Sequence, residues 1–193
     1  QANITKSKAE IALLKDSFNN IVEIEGNRAI DVDITTDDSD SARLGILAAD
    51  RLKKRFRMFS NGHVSVYFNK YFLDFSSYHI SEEVVNYLKT DIGIADSSLF
   101  ESYSRDFTIN TLQKKFFSDE ILDPTGQGLK DLEAKIIRTP VPAEITLLDD
   151  QRRIFRAIEL SSRYGFDIDD DIINFVKENK AQILSEENKL LVK

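Results

Sequence analysis

The stretch "AIDVDITT", residues 29–36, restricts the fold of this chain more than any other feature. Apolar and polar residues alternate strictly along it. Side chains two apart on a strand share a face, so Ile30, Val32 and Ile34 turn one way and Asp31 and Asp33 the other. Such a strand needs a core on one side only. The same alternation recurs in "HVSVYF" and "YFLDFSS", separated by Asn69-Lys70, which reads as a hairpin. On its second strand Phe72 and Asp74 share one face, and Leu73 and Phe75 the other. "IVEIEGNRAIDVDITT" reads as an earlier hairpin turning at Glu25-Gly26-Asn27.

Helical spacing fills the remainder. A first helix is expected over 5–19. A second, near 40–54, has Ser39 or Asp40 as cap and Leu44, Leu47, Ala48 and Leu52 as its buried stripe. Residues 81–90 read as helical, as does "DFTINTLQKKFF" from Asp106. A two-glycine loop and a short helix follow. From Leu147 onward the pattern is helical, broken at Gly165. Strands in the first 80 residues with helices after them define an α+β fold. We expect a head domain over 1–144, with a small mixed or antiparallel sheet flanked by helices, and an all-helical neck segment over 145–193.

The 193 residues carry a net charge of −7, which argues against a dedicated nucleic-acid coat but leaves room for a local basic cleft. With no cysteine, disulfides, thiol catalysis and cysteine-bound zinc are excluded. No apolar run approaches the ~20 residues that span a bilayer, and the first residues lack the apolar core of a secretion signal. A cytoplasmic location, or one within a larger particle, is expected. The chain starts at Gln1 rather than Met, as expected of a processed chain or a piece of a longer one.

Three groups of residues have chemical potential. Asp31, Asp33 and Asp74 can converge if their strands are neighbours. Crowded carboxylates repel unless a cation joins them, and Mg²⁺ suits such oxygen donors. Two such ions would serve phosphoryl or nucleotidyl transfer. The spacing is equally compatible with the wet face of a half-exposed sheet. In "SRDFTIN", Arg105, Asp106 and Asn110 can clamp a phosphate and contact a ribose, or simply start a helix. In "DDQRRIFRA", Asp149/Asp150, Arg153 and Arg156 recur at spacings of three and four. That face can read the edge of a base, or serve as a surface of salt bridges. His63 and His79 are too sparse for a histidine metal site.

The order of these motifs is more telling than any one of them. "RDFTIN", then "ILDPTGQGLKDLEAKIIRTP", then "DDQRRIFRAIELSSRYGFDID" closely resembles the tRNA nucleotidyltransferase and bacterial poly(A) polymerase family, the class II CCA-adding enzymes. The match runs from about Arg105 to Asp169. "AIDVDITT" resembles the family's D-x-D strand, and "HVSVYFNKYFLDFSSYH" its hairpin. The resemblance implies a polymerase-beta-like nucleotidyltransferase head. Asp31 and Asp33 would hold Mg²⁺, and Asp74 would help activate an RNA 3′-hydroxyl. Lys15 and Asp16 would lie beside the triphosphate, and Arg105, Asp106 and Asn110 would contact the triphosphate and sugar. Asp150, Arg153 and Arg156 would read the base of ATP or CTP, and Asp123–Leu132 would move during the reaction.

Three departures accompany the resemblance. Ile11-Ala12 stands where the family has a Gly-Gly phosphate cradle. Ser104 and His79 each stand where it has arginine. The family also carries further helical regions that grip tRNA. Two functions follow. One is template-independent transfer of AMP or CMP from ATP or CTP to a tRNA-like RNA 3′ end. The other is a catalytically reduced nucleotidyltransferase-fold subunit, a pseudoenzyme that engages protein partners in a larger assembly.

Overall fold

A computed structural model of the chain describes residues 31–34, 41–60, 62–68, 71–75, 81–114 and 120–183. The expected helix over 5–19, the Glu25-Gly26-Asn27 and Asn69-Lys70 turns, the Ser39/Asp40 cap, and Ile11, Ala12, Lys15, Asp16 and His79 lie outside them. The described residues divide into two compact units.

The first unit is a four-stranded sheet and one helix. Its strands are β1 (Asp31–Ile34), β2 (Phe56–Met58), β3 (Val64–Phe68) and β4 (Tyr71–Phe75), in the spatial order β1-β4-β3-β2. β3 and β4 form the expected antiparallel hairpin, closing at the pair Phe68↔Tyr71. β1 lies beside β4 in parallel, not antiparallel, so the sheet is mixed. A parallel neighbour requires a crossover, and helix α1 (Ser41–Leu52) lies on that connection, packed over the sheet. β2 was not evident in the sequence. It pairs antiparallel with β3 at the edge.

The core of this unit is Ile34, Val64, Val66, Leu73 and Phe75 beneath Ala49. The buried stripe of α1 differs from the expected one: Ser41, Gly45 and Ala49 face inward, while Leu47 is exposed. The reason is close approach. A Cβ at Gly45 would stand 2.9 Å from both Phe75 and Val64, so only small residues four apart let the helix sit this low. Leu44, Ala48 and Leu52 flank the contact, partly buried. The helix ends on Lys53 in the left-handed region (φ 52°), with Lys54 donating its N–H to the Ala49 carbonyl at 2.9 Å.

The second unit is mainly helical: α2 (Glu82–Thr90), α3 (Phe100–Ser104), α4 (Gly128–Ala134), α5 (Ala143–Asp149), α6 (Arg152–Tyr164), α7 (Asp170–Glu178) and α8 (Lys180–Ile183). Short strands β7 (Ile136–Ile137) and β8 (Asp167–Ile168) pair in parallel, β6 (Ile121–Leu122) precedes them, and β5 (Gln113–Lys114) ends on Lys114, which belongs to the first unit. Ser81 caps α2, its Oγ accepting the Val84 N–H at 3.3 Å. Phe107, Ile137, Ala143, Leu147, Ile154, Ala157, Ile172 and Phe175 share one core. The boundary expected near residue 145 therefore falls within a unit, since Ala143 and Leu147 are buried together.

Two helix expectations need correction. "DFTINTLQKKFF" is not one helix. Phe107 is extended, and residues 108–111 make a single tight turn in which Thr111 Oγ1 donates to the Thr108 carbonyl at 2.7 Å. Hydroxyls bonded to nearby carbonyls and β-branched side chains both disfavour a regular helix here. "DDQRRIFRA" is also broken. Asp150 ends α5 in an extended conformation (φ −143°, ψ 97°), and its Oδ1 accepts the Arg152 N–H at 3.0 Å, starting α6 afresh. Asp150, Arg153 and Arg156 therefore do not lie on one helical face.

Candidate active site

Alternation on the sheet places Asp33, Asp74, Ser65 and Arg57 on the face away from α1. They are register partners in sequence, Asp33↔Asp74, Asp74↔Ser65 and Ser65↔Arg57, forming a row across four strands. Asp33 is exposed. Asp74 Oδ1 is buried, lies 3.4 Å from His63 Nε2, and accepts no hydrogen bond among the described residues. An anionic oxygen withdrawn from water without a donor is costly unless something else is to meet it. Among the described residues no group of three acidic, histidine or cysteine side chains is close enough to hold a metal. Asp33 and Asp74 are nonetheless hard oxygen donors on adjacent strands, and the unsatisfied Oδ1 suits a cation or a hydroxyl proton.

Beside Asp74 the same face opens into a cavity of about 390 Å³, lined by Arg55, Arg57, Phe59, His63, Tyr67 and Phe72 among others. The Tyr67 and Phe72 rings lie 5.2 Å apart, and the Arg57 guanidinium sits 4.7 Å from the centre of the Phe59 ring. This cavity was not found by motif reading. Its signal is the run "RLKKRFRMF", with five cations between Arg51 and Arg57 in an acidic chain.

In the second unit the expected nucleotide-binding residues do come together, but mainly to bond one another. Asp106 Oδ1 accepts from the Phe107 N–H and from Asn110 Nδ2, both at 2.9 Å, and Oδ2 pairs with Arg156. Arg105 pairs with the buried Glu101 at 2.5 Å. Ser104 Oγ donates to the Glu101 carbonyl at 2.6 Å. Arg153 donates to the Ser104 carbonyl at 2.8 Å, the Arg105 carbonyl at 3.4 Å and Thr146 Oγ1, tying α6 to the RDFTIN segment. Asp150 stands apart, held by Arg152 through Nε and Nη2, each at 2.8 Å. Burial would raise the Asp150 pKa, but the Arg152 hydrogen bonds and charge outweigh it and hold the carboxyl below its ordinary range. Arg156 is the most open of the three expected base readers, with its side chain 60% exposed.

The segment 123–132, expected to move, is bonded at both ends. Asp123 accepts the N–H of Leu129 at 3.0 Å and of Gly128 at 3.1 Å, and the Thr125 hydroxyl at 3.1 Å. Burial pushes its pKa up, yet these donors prevail and keep it low. Asp131 is fully buried and accepts from Thr108 Oγ1 at 2.7 Å, Gln127 Nε2 at 2.9 Å and Arg138 Nε at 3.2 Å. Arg138 continues to Asp169 at 2.8 Å. Gly128 is required here, because a Cβ would stand 2.7 Å from the Thr108 carbonyl oxygen. Sequence reading named neither Asp131 nor Arg138 as partners. They lie seven residues apart, and helix α4 with β7 brings them together.

A mixed sheet covered by a helix on one face, with paired carboxylates on the other and a helical second unit, defines a nucleotidyltransferase-type α+β architecture. The family model for the poly A polymerase head domain matches residues 23–138, more than half of the chain, and the chain belongs to that family. Among relatives it is 36% identical over 81 residues to a tRNA nucleotidyltransferase of Schizosaccharomyces pombe, covering 42% of this chain and 17% of that protein. It is 40% identical over 73 residues to the mitochondrial CCA tRNA nucleotidyltransferase of Saccharomyces cerevisiae, covering 38% and 13%. A tRNA nucleotidyltransferase solved with a primer tRNA and an incoming ATP analogue superposes with a TM-score of 0.61 at 24% identity, covering 83% of this chain and 44% of that one. The matched stretches thus span less than a fifth of these curated relatives, and under half of the structural neighbour. Among the described residues no helix is long and apolar enough to cross a membrane.

Proposed function

We propose that the chain is the head of a template-independent nucleotidyltransferase, transferring AMP or CMP from ATP or CTP to an RNA 3′ end. The observation that carries this reading is the register pair Asp33↔Asp74 on the open sheet face, with Asp74 Oδ1 lacking a hydrogen-bond donor among the described residues. Asp31 and Asp33 would hold Mg²⁺, which when bound offsets the charge of the triphosphate and stabilises the leaving pyrophosphate. Asp74 Oδ1 is the acceptor for the proton of the attacking 3′-hydroxyl. In the second unit Arg105, Asp106 and Asn110 supply polar contacts for triphosphate and sugar. Arg156 offers its exposed guanidinium edge to the base, and Arg153 positions the backbone beneath it. Asp150 assists only by releasing Arg152.

A second reading, a catalytically reduced subunit with protein partners, draws on Ser104. Its hydroxyl is bonded within its own helical turn and brings no charge toward a polyanionic substrate. To separate the two, the protein is incubated with ATP or CTP, Mg²⁺ and an RNA primer. Extension by single nucleotides that disappears in Asp33→Ala supports transfer. No extension, together with no ATP–Mg²⁺ binding by calorimetry, favours the second reading.

A further inference from the structure

Strand β2 ends the described sheet on the side away from β1, and its backbone decides what it can accept. Phe59 donates its N–H to the His63 carbonyl at 2.8 Å. Gly62, in the left-handed region (φ 81°), donates to the Phe59 carbonyl at 3.0 Å, which closes the β2–β3 hairpin. Along an antiparallel pair, residues that exchange hydrogen bonds alternate with residues that do not. Back from Phe59 along the register, Arg57 is therefore bonded to Ser65, and the N–H and C=O of Phe56 and Met58 point away from β3. Among the described residues these backbone groups have no ladder partner.

The side chains add a pattern. Phe56 and Met58 share the face of Val66 and Val64 and are 46% and 55% exposed. Arg57 turns to the opposite face, and Lys53, Lys54 and Arg55 stand just before the strand, all exposed. None of these four cations pairs with a carboxylate among the described residues, on a chain whose net charge is −7. An extended peptide adding antiparallel, the more stable pairing per residue, sets apolar side chains against Phe56 and Met58 and an acidic one against Arg57. Its next residues pass Arg55 and Lys54, where further carboxylates meet positive charge. A nucleic acid would satisfy the cations, but it has no amides to continue a ladder and no apolar side chains for Phe56 and Met58. A peptide strand meets the backbone, the apolar pair and the cations together.

We propose that β2 is a docking edge for an extended acidic segment of a protein partner, with the pattern apolar–acidic–apolar–acidic–acidic, which joins the sheet as an added strand. Docking at this edge does not depend on nucleotidyl transfer.

The experiment measures fluorescence anisotropy of a labelled peptide with the core Val-Glu-Val-Glu-Glu against the full chain. The peptide binds, and more weakly as salt rises. N-methylation of both valines, whose amides face Met58 and Phe56, abolishes binding. N-methylation of the glutamate between them, whose amide faces outward, leaves it unchanged. Arg57→Glu weakens binding about tenfold, and a peptide with lysine in place of the central glutamate recovers it. Absence of binding overturns the proposal. So does equal affinity for a scrambled peptide of the same composition or for the doubly N-methylated one, since charge alone would then explain the contact. Full displacement by an equimolar RNA of about 10 nucleotides overturns it in favour of a nucleic-acid surface. Sedimentation of the free chain as a dimer that Phe56→Ser/Met58→Ser disperses overturns it in favour of a second copy.

Discussion

The open sheet face of the first unit and the polar cluster of the second contain similar side chains in opposite circumstances. On the sheet Asp74 keeps an oxygen without a hydrogen-bond donor among the described residues, and aromatic rings stand in solvent. In the second unit Asp131 has three donors, Asp123 four groups to satisfy, and Arg153 three acceptors. Family motifs therefore mark two kinds of residue. Some keep unmet hydrogen-bonding capacity among the described residues, and others are consumed in building the scaffold. Burial separates them less well than unmet hydrogen-bonding capacity.

Substitutions can break or sharpen that contrast. The largest effect is expected at Asp74→Asn, which should lower nucleotidyl transfer ~10²–10³-fold while moving the urea midpoint by no more than about 0.5 kcal/mol equivalent. A large stability loss there would place Asp74 with the scaffold. Asp131→Ala should destabilise by about 3 kcal/mol, because it strands Thr108 and part of Arg138 in a buried site. Urea denaturation of the full chain reads this directly.

Smaller effects divide the two arginines. Arg153→Ala is expected to cost about 1.5–2 kcal/mol through its lost carbonyl contacts. Arg156→Ala should cost under ~1 kcal/mol, its pairing with Asp106 being largely in water. If Arg156 meets the base, its variant alters the ratio of CTP to ATP use measured on one primer, and the Arg153 variant does not alter it at matched folded fraction. The smallest effect is one of pH. The folded pKa of Asp123 is depressed, so its contribution to stability is complete above the unfolded value of about 3.9. It is lost as pH falls through the lower folded value. Wild type and Asp123→Asn should thus differ in stability at neutral pH and converge as pH falls through the depressed folded value of Asp123. A difference that persists in acid would contradict the role given to the Asp123 carboxylate's hydrogen bonds.

The sheet was legible because alternation has period two and its buried face is apolar. Leu73 and Phe75 are inward and Phe72 outward as their order dictates. The α1 stripe was misjudged because hydrophobicity ranks Leu47 above Gly45, whereas the distance between helix and sheet ranks them the other way. The break at Asp150 was hidden for a related reason. A carboxylate that bonds a backbone N–H two residues on ends one helix and begins another without any glycine or proline. Strand β2 was obscured by its charge, since Arg55 and Arg57 resemble a solvated run more than a strand.

That short strand has one more consequence, for self-association. β2 is an outer strand of the described sheet, and an outer strand offers unpaired backbone groups to any passing chain. With Phe56 and Met58 both exposed it would be adhesive on its own. Arg57 between them, with Lys53, Lys54 and Arg55 just before, makes two copies repel when they approach edge to edge. A head stripped of these cations would be prone to stick to itself.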